Sequence, residues 1–278
     1  MSNDRFVSQL ARRFSRFRRL ASRRLGIALA RLGLIVERTA KSESFEALLV
    51  RRLAIVREAN EQFFFLQIGA NDGVSHDPIH AFVTSQRVAG IVVEPLPDVF
   101  AELCHTYRHH PQIRKINVAV HAELDRVTLY RPDPARANGL SGFASLNANR
   151  HEFTRERSGV QADDMLAVEV PAMSLTHLLE SERVDHLDLL QIDTEGYDMQ
   201  ILASLDLTIH RPSIIRFEHG VYSGVPVRDE LRDALFRLYE HGYSIAMERV
   251  DAVAWLNEAV AKRRKRPAAE PSTRSPRG

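Results

Sequence analysis

The sequence predicts an α/β protein with a doubly wound, mostly parallel sheet that carries helices on both faces. Short apolar runs of strand length alternate with helical patterns from Phe63 to Leu256, a rhythm typical of parallel sheets. A turn with two glycines, Gly69 and Gly73, follows the first apolar run. The second apolar run ends in an acid, Glu94. These three observations place a candidate site at the carboxyl edge of the sheet.

Length and composition indicate one sizeable domain with an extension at each end. The chain has 278 residues, 44% of them hydrophobic and 27% charged, which are ordinary values for a soluble globular protein. Cys104 is the only cysteine, so a reducing compartment, the cytoplasm, is expected. No stretch reaches the ~18 uninterrupted apolar residues of a membrane span. We predict an extension at 1–40, a domain at 41–260 and a tail at 261–278.

The net charge of +2 conceals two basic ends. Residues 1–40 hold ten Arg against Asp4 and Glu37, a local charge of +8, and residues 261–278 hold seven Lys or Arg against Glu270, a local charge of +6. By subtraction the middle of the chain carries −12. An acidic body of this kind is not expected to bind nucleic acid. No feature of the sequence indicates an oligomeric state.

The N-terminal extension fits an amphipathic helix over residues 4–25, with an aromatic and aliphatic stripe among arginines. Such a helix can lie on an anionic bilayer, so we predict that residues 1–36 contact the inner face of a membrane. A helix packed on the domain, a partly disordered arm and an organelle transit peptide are the alternatives. The tail from Lys262, which contains three prolines, is predicted to be disordered.

The first half of the domain alternates helices and strands. Periodicity predicts helices over 44–59, 77–86 and 98–107, and strands over 63–68, 89–94 and 113–120. Asp77 and Pro78 are placed to begin the second of these helices. The end of the third strand is expected to lie near the base of a bound cofactor.

Residues 121–170 interrupt this alternation. Two short strand patterns, at 127–131 and 166–170, flank an irregular stretch that contains Asn138-Gly139 and Ser141-Gly142. Long irregular segments in compact domains are usually lids or binding loops. We therefore predict that this insertion covers the substrate, with plain surface decoration as the alternative.

The alternation then resumes to the end of the domain. Helices are predicted over 174–180, 199–205 and 228–240, and strands over 187–192 and 213–217. Segments 243–247 and 253–256 are expected to close the sheet as a pair.

The glycine turn and Glu94 together predict a cofactor that contains adenosine. In an open α/β sheet such a cofactor lies at the carboxyl end of the first strand, where glycines let it approach the backbone. An acid about 20 residues further along can accept the ribose hydroxyls, and Glu94 lies 21 residues after Gly73. A glycine pair at this spacing also occurs in plain strand-to-helix turns, so the turn alone is weak evidence.

Polar groups follow four of the predicted strands: the glycine turn, Glu94, Asp193 with Glu195, and Glu218 with His219. The carboxyl ends of parallel strands meet at one edge of a sheet, so these groups are expected to form one site. A cluster of salt-bridged loops is the alternative.

The motifs at these strand ends resemble the FkbM family of S-adenosylmethionine-dependent methyltransferases. They are Gln-Ile-Gly-Ala-Asn-Asp-Gly at 67–73, Val-Glu-Pro at 93–95, Ile-Asp-Thr-Glu-Gly-Tyr-Asp at 192–198 and Phe-Glu-His at 217–219. The resemblance implies a Rossmann-like class I methyltransferase sheet of seven strands, one of them antiparallel near the end. It also implies S-adenosylmethionine as cofactor and a hydroxyl acceptor, often on a sugar of a glycolipid, a polysaccharide or a related metabolite.

One departure concerns the first motif, where the family often has Asp and this chain has Gln67. A neutral amide can hydrogen-bond the amino-acid moiety of the cofactor, but it offers no charge to the ammonium group. The residues predicted to bind the cofactor are Gln67, Gly69, Ala70, Asn71, Asp72, Gly73, Glu94, Ala119, Val120 and Asp193.

Methyl transfer to a hydroxyl group requires alignment and a base. A positioned base typically contributes ~10²–10⁴-fold. Histidine is the side chain that most often serves near neutral pH, so His219 is the first catalytic candidate, with Asp193 as competitor and Glu195 beside it. A divalent cation held by Asp193, Glu195 and Glu218 is an alternative that we do not predict.

We therefore predict a cytoplasmic S-adenosylmethionine-dependent O-methyltransferase that acts on a hydroxylated, carbohydrate-like small molecule or a glycolipid. An NAD(P)-dependent oxidoreductase is one alternative, disfavoured because the turn lacks the third glycine of that fingerprint. A domain that binds cofactor or glycan without turnover is the other, because Gln67 departs from the family pattern.

Overall fold

The structure is a computed structural model of the chain. It describes residues 44–135, 144–147, 164–219, 229–248 and 250–256. The predicted amphipathic helix, its membrane contact through 1–36 and the basic tail lie outside these residues and stay predictions, as does the cytoplasmic location. No helix within the described ranges is long and apolar enough to cross a membrane.

The strands and helices are close to those that periodicity predicts. The strands are β1 (Phe64–Ile68), β2 (Ala89–Val93), β3 (Ile113–Ile116), β4 (Ala119–Val120), β5 (Arg126–Pro132), β6 (Met165–Met173), β7 (Leu189–Ile192), β8 (Ile214–Glu218), β9 (Tyr243–Met247) and β10 (Asp251–Leu256). The helices are α1 (Phe45–Glu58), α2 (His80–Gln86), α3 (Pro97–Thr106), α4 (Leu175–Ser181), α5 (Asp198–Ser204) and α6 (Asp229–Glu240).

Seven of these strands form one sheet in the order β3-β2-β1-β7-β8-β10-β9. β1 pairs in parallel with β2 and β7, β2 with β3, and β7 with β8. β10 runs antiparallel to both β8 and β9. β10 therefore runs against the other six strands, which is the class I methyltransferase arrangement. The predicted fold class is confirmed.

Helices cover both faces of this sheet because successive side chains of a buried strand point to opposite sides. On one face, α1, α2 and α3 pack through Leu49, Val83 and Leu103 against a cluster that includes Phe65. On the other face, α4, α5 and α6 pack against a cluster that includes Leu66. The strands consequently read as continuous apolar runs.

The single strand predicted over 113–120 is wrong. β3 ends at Ile116, and β4 instead pairs with β6 in a separate sheet of order β4-β6-β5. Asn117 lies at the break, where its side-chain amide donates to the carbonyl oxygens of Glu94 (2.8 Å) and Pro95 (3.0 Å). Because these bonds replace those of the strand ladder, the chain leaves the main sheet and passes over the carboxyl edge.

The second helix begins later than the sequence predicts. Asp77 Oδ1 accepts hydrogen bonds from the backbone N–H groups of Ile79 (2.8 Å) and His80 (3.1 Å), and α2 begins at His80. The N-cap is Ile79, so the predicted start at Asp77 and Pro78 is wrong, and Asp77 instead closes the turn that leads into the helix. The two short strands predicted within the insertion are also present, as β5 and β6.

Candidate active site

A cavity of about 340 Å³ lies at the carboxyl edge of the main sheet, within the usual range for ligand pockets. The loop after β1, the ends of β2, β7 and β8, and the crossing segment 118–120 supply most of its lining. Ala144 and Leu146 from the insertion complete it. This is the crevice in which open parallel sheets bind their ligands.

Gly69 allows the chain to turn at the end of β1. Its φ is +78°, and a Cβ there would lie 1.8 Å from the carbonyl oxygen of Asp193. The N–H groups of Gly69 and Ala70 both donate to the carbonyl oxygen of Val93, at 3.0 and 2.9 Å. The ends of β1, β2 and β7 are thus drawn together so closely that only glycine fits.

Glu94 lines the cavity just beyond the end of β2 and is only 6% exposed. Its Oε2 accepts from the N–H of Asn71 and its Oε1 from the N–H of Leu96, both at 3.0 Å. Burial raises the pKa of Glu94 to about 7, although these N–H donors oppose the rise. Each carboxylate oxygen keeps a second lone pair, so Glu94 can still accept ribose hydroxyls.

Two predicted cofactor contacts, Asp72 and Gly73, do not line the cavity. Asp72 instead accepts from the N–H (2.7 Å) and the hydroxyl (2.6 Å) of Ser75, which closes the loop on itself. Gly73 faces α3, where a Cβ would lie 2.7 Å from Tyr107 Cε2 and 2.8 Å from Leu103 Cδ1. Both residues therefore shape the loop from outside the cavity.

Asp193 follows β7 and lines the cavity. Burial and, after it, repulsion from the carboxylates of Asp198, Glu195, Glu218 and Asp251 together raise the pKa of Asp193 to about 8. A carboxyl group in this state can take up a proton near neutral pH. Asp193 is thus suited to act as a base.

Asp198 holds the loop after β7 against the end of β8 and is 2% exposed. Its Oδ2 accepts from the Thr194 hydroxyl (2.8 Å) and the N–H groups of Thr194 (3.3 Å) and Gly196 (3.4 Å). Its Oδ1 accepts from the N–H of Glu218 (3.1 Å). No role is predicted for Asp198 from the sequence, although an acid shortly after a Thr-Glu-Gly turn is the signal that could have found it.

His219, the first catalytic candidate, does not line the cavity, whereas its neighbour Glu218 does. The His219 ring Nε2 lies 3.3 Å from the carbonyl oxygen of Glu248, and its backbone N–H donates to Val250. Successive residues of an extended chain point to opposite sides, and this places Glu218 rather than His219 in the site. Of the two predicted base candidates, Asp193 lines the cavity and His219 does not.

Three polar side chains lie in a row under the cavity: Gln67 on β1, Gln191 on β7 and Arg216 on β8 are cross-strand neighbours. Gln67 Oε1, both polar side-chain atoms of Gln191 and Arg216 Nε are buried and have no hydrogen-bond partner among the described residues. Buried polar groups are normally bonded, so this row has unused capacity for a ligand. An amide inside an otherwise apolar strand was the available sequence signal for Gln191.

The lining suits a positively charged cofactor. Six carboxyl side chains and one arginine face the cavity among the residues placed there. S-Adenosylmethionine carries a sulfonium, an ammonium and a carboxylate, so its net charge is positive. Glu94 would hold its ribose, Ala119 and Val120 would lie near its base, and Gln67 has an unpartnered acceptor for its amino-acid moiety.

A metal site receives no such support. Within the described ranges, no group of three or more His, Cys, Asp or Glu side chains is arranged to hold a metal ion. Asp193, Glu195 and Glu218 all line the cavity but do not form such a group.

The fold and the site together define an α/β enzyme of the class I methyltransferase type. The family model described as Methyltransferase FkbM domain matches residues 67–245. The chain belongs to this family and is therefore a methyltransferase, and S-adenosylmethionine is the methyl donor that this membership supports. This membership argues against the alternative of an NAD(P)-dependent oxidoreductase.

Solved structures with a similar fold are distant from this chain. Fibrillarin from Aeropyrum pernix, in complex with S-adenosyl-L-methionine, is 12% identical over 70% of this chain, with a TM-score of 0.37. Methanococcus jannaschii fibrillarin is 11% identical over 70% of this chain, with a TM-score of 0.35. The chain covers 65% and 66% of these two fibrillarins, respectively.

A putative caffeoyl-CoA O-methyltransferase from Staphylococcus aureus is 12% identical over 92% of this chain and 99% of its own length, with a TM-score of 0.39. No curated protein is significantly similar to the chain. The family membership therefore rests on the sequence match, and nothing about the acceptor follows from the solved structures.

Proposed function

We propose that this protein transfers a methyl group from S-adenosylmethionine to a hydroxyl group of a sugar, a glycolipid, a polysaccharide or a related metabolite. The observation that carries the proposal is the Asp193 carboxyl group, which lines the cavity and whose pKa is raised to about 8 by burial and by neighbouring carboxylates. When bound, S-adenosylmethionine supplies an electrophilic methyl group. An alcohol is a weak nucleophile while protonated, so a base of this strength is what hydroxyl methylation requires.

Asp193 acts in its ionised form. It would accept the proton of the acceptor hydroxyl as that oxygen takes the methyl group that bound S-adenosylmethionine would supply, with the carbon–sulfur electron pair left on sulfur. The products are a methyl ether and S-adenosylhomocysteine. The loop that carries Asp193 is held in place by the bonds from Thr194 and Gly196 to Asp198, which supports a base kept in a constant position.

The charge of the cavity supports an uncharged acceptor. Glu195, Glu218 and Asp251 line the same side as Asp193, and Arg216 is already paired with Asp251 at 2.6 Å. A phosphate or carboxylate on the acceptor would meet these carboxylates and be repelled. Neutral hydroxyl groups can donate hydrogen bonds to them instead.

The insertion contributes to the same side of the cavity. The Ser145 hydroxyl donates to the carbonyl oxygen of Glu195 at 2.8 Å, and Ala144 and Leu146 flank the cavity. These contacts support the prediction that residues 121–170 cover the acceptor.

The acceptor class is tested by incubating the purified protein with methyl-labelled S-adenosylmethionine and fractionated lysate or glycan extracts. We expect the label in an alkali-stable methyl ether of a hydroxylated product. Label on nitrogen, or in an alkali-labile ester, would refute transfer to a hydroxyl. Calorimetric binding of S-adenosylhomocysteine without any labelled product would indicate a binding domain without turnover.

The base is tested with Asp193→Asn and His219→Ala side by side. Asp193→Asn removes the proton acceptor, so we expect kcat to fall by about 10²-fold or more. Wild-type kcat/KM should rise with pH through about 8, because the raised pKa of Asp193 delays its ionisation. His219→Ala is the matched control and should keep most of the turnover. If His219→Ala loses turnover while Asp193→Asn remains active, His219 and not Asp193 is the base.

A further inference from the structure

Asp77 and Gln67, two residues of the cavity lining, each have a buried acceptor oxygen without a hydrogen-bond partner among the described residues. Asp77 Oδ1 accepts from the N–H groups of Ile79 and His80, but its Oδ2 is buried and has no partner in the part of the chain that the structure describes. Gln67 is 3% exposed, and its Oε1 is likewise buried and unpartnered. Both residues line the cavity.

The two side chains lie next to each other. Burial raises the pKa of Asp77, while the Ile79 N–H and then the Gln67 side chain act to lower it. Gln67 is therefore within interaction distance of the carboxylate, although no group among the described residues meets hydrogen-bond geometry at Oδ2. A buried carboxylate oxygen without a donor is costly, so the pair has a strong preference for a ligand that supplies one.

An ammonium group has the properties that this pair requires. It carries a positive charge and three N–H donors, and it accepts no hydrogen bonds. The Asp77 carboxylate can balance the charge, which the neutral Gln67 amide cannot do. Gln67 Oε1 can accept a second hydrogen bond from the ammonium group. The two residues together therefore balance its positive charge and accept hydrogen bonds from two of its three N–H groups.

The position of the pair relative to Glu94 suits the two ends of one cofactor. Gln67 on β1 pairs with Val92 on β2, two residues before Glu94. One strand spacing across and two residues along amount to about 8 Å between the Cα atoms of Gln67 and Glu94. Six covalent bonds separate the ribose ring of S-adenosylmethionine from its amino nitrogen, enough to bridge the two sites.

We propose that Asp77, together with Gln67, binds the ammonium group of the cofactor's amino-acid moiety. Asp77 thereby supplies the negative charge that Gln67 lacks, and it selects a nucleoside that carries an amino acid. This assignment rests on the proposed use of S-adenosylmethionine. It does not depend on which acceptor is methylated.

Tyr107 offers the competing explanation. Its hydroxyl lies close enough to Asp77 for that carboxylate to raise the pKa of Tyr107, after burial as the main cause. No partner within the described ranges meets full hydrogen-bond geometry at the Tyr107 hydroxyl, but a side-chain hydrogen bond to Asp77 also contributes to the raised pKa of Tyr107. If Tyr107 donates to Asp77 in this way, the carboxylate is satisfied without a ligand and has only a structural role.

The test is calorimetry with S-adenosylhomocysteine and with its analogue that lacks the amino group. Asp77→Asn should bind S-adenosylhomocysteine about 10- to 100-fold more weakly, because a hydrogen bond to a charged group is lost. Its affinity for the desamino analogue should equal that of the wild type. Gln67→Met should lower only the S-adenosylhomocysteine affinity, by about 10-fold, since a hydrogen bond from the charged ammonium group is lost.

Two control variants complete the design. Glu102→Gln removes a carboxylate from the exposed side of α3 and should change neither affinity. Tyr107→Phe should leave the preference for the amino group intact, and loss of that preference in Tyr107→Phe would overturn the proposal. The ratio of the two affinities is read within each protein, so a partly unfolded preparation does not distort it. Should Asp77→Asn fail to fold, Asp77→Ser, which keeps an acceptor for the N–H groups of Ile79 and His80, takes its place.

The outcomes separate this proposal from the proposed function. The Asp77 assignment is wrong if the wild type binds both ligands equally well, or if Asp77→Asn keeps the wild-type ratio of the two affinities. The proposed cofactor is unaffected by either result. If the wild type binds neither ligand, the choice of cofactor is wrong and the assignment falls with it.

Discussion

Glu94→Gln should abolish a pH dependence of stability that the buried carboxyl group imposes. Burial raises the pKa of Glu94 from 4.5 to about 7, so the folded protein binds a proton more tightly than the unfolded chain does. The stability contributed by this proton is fully present below pH 4.5 and is lost as the pH rises through about 7. A pKa difference of this size corresponds to about 3 kcal/mol in total.

Urea unfolding of the wild type and Glu94→Gln at pH 5 and pH 8 measures this effect. Most of this total, roughly 2–3 kcal/mol, is lost between these two pH values. The free energy of unfolding of the wild type should therefore fall by that amount relative to Glu94→Gln, because all other groups cancel in the difference. The variant keeps the shape of the protonated acid, and the unfolding slope m should be unchanged. A difference between the two proteins that is the same at both pH values would refute the buried, proton-binding state of Glu94.

Two further predictions concern the loops around the cavity. Gly69→Ala should abolish S-adenosylhomocysteine binding in calorimetry, because the new Cβ would collide with the Asp193 carbonyl oxygen at 1.8 Å and φ is +78°. Gly73→Ala is the matched control, because its new Cβ would press on α3 and not on the cavity. It should lower the melting temperature, while the folded variant still binds S-adenosylhomocysteine. An equal loss of binding in both variants would contradict the different roles of the two glycines. Asp198→Asn should lower the free energy of unfolding by about 1–3 kcal/mol. An amide NH₂ group would then face the N–H groups from which Oδ2 now accepts hydrogen bonds. Chemical denaturation measures this loss, and unchanged stability would show that these hydrogen bonds are not required.

Much of the sheet could be predicted because its strands are buried on both faces. Such strands read as short apolar runs, and helices alternate with them. The break at Asn117 could not be predicted in the same way. Ile116 and Val118 continue the apolar pattern, and the interruption depends on hydrogen bonds from Asn117 to the carbonyl groups of Glu94 and Pro95, more than 20 residues away in sequence.

The candidate site was predictable at the strand ends and less so between them. Gly69, Glu94 and Asp193 follow strands directly, so the direction of the sheet brings them together. Asp72 and His219 lie in neighbouring positions of the same motifs, yet their side chains bond away from the cavity. One residue along an extended or turning chain reverses the side to which a side chain points, and motif letters do not record that reversal.

The buried polar groups under the cavity are a product of the tertiary structure. Gln191 and Arg216 are separated by 25 positions, and only the parallel register of β7 and β8 makes them neighbours. Asp77 reads in the sequence as a helix cap, but in the structure it bonds to the N–H of Ile79, the residue before α2. Its second oxygen is buried without a partner among the described residues, and the Gln67 side chain interacts with the Asp77 carboxylate only because tertiary packing brings the two together.

By itself, the sequence determined the order of strands and helices, the edge of the sheet that carries the site and the family to which the chain belongs. These properties follow from local patterns of apolar residues, glycines and acids, each of which acts within a few positions. The tertiary structure alone decided which side chains face the cavity, which of their atoms remain unpartnered, and which carboxyl groups are protonated near neutral pH. Those properties depend on burial and on contacts between distant segments, and they exist only once the strands are packed side by side.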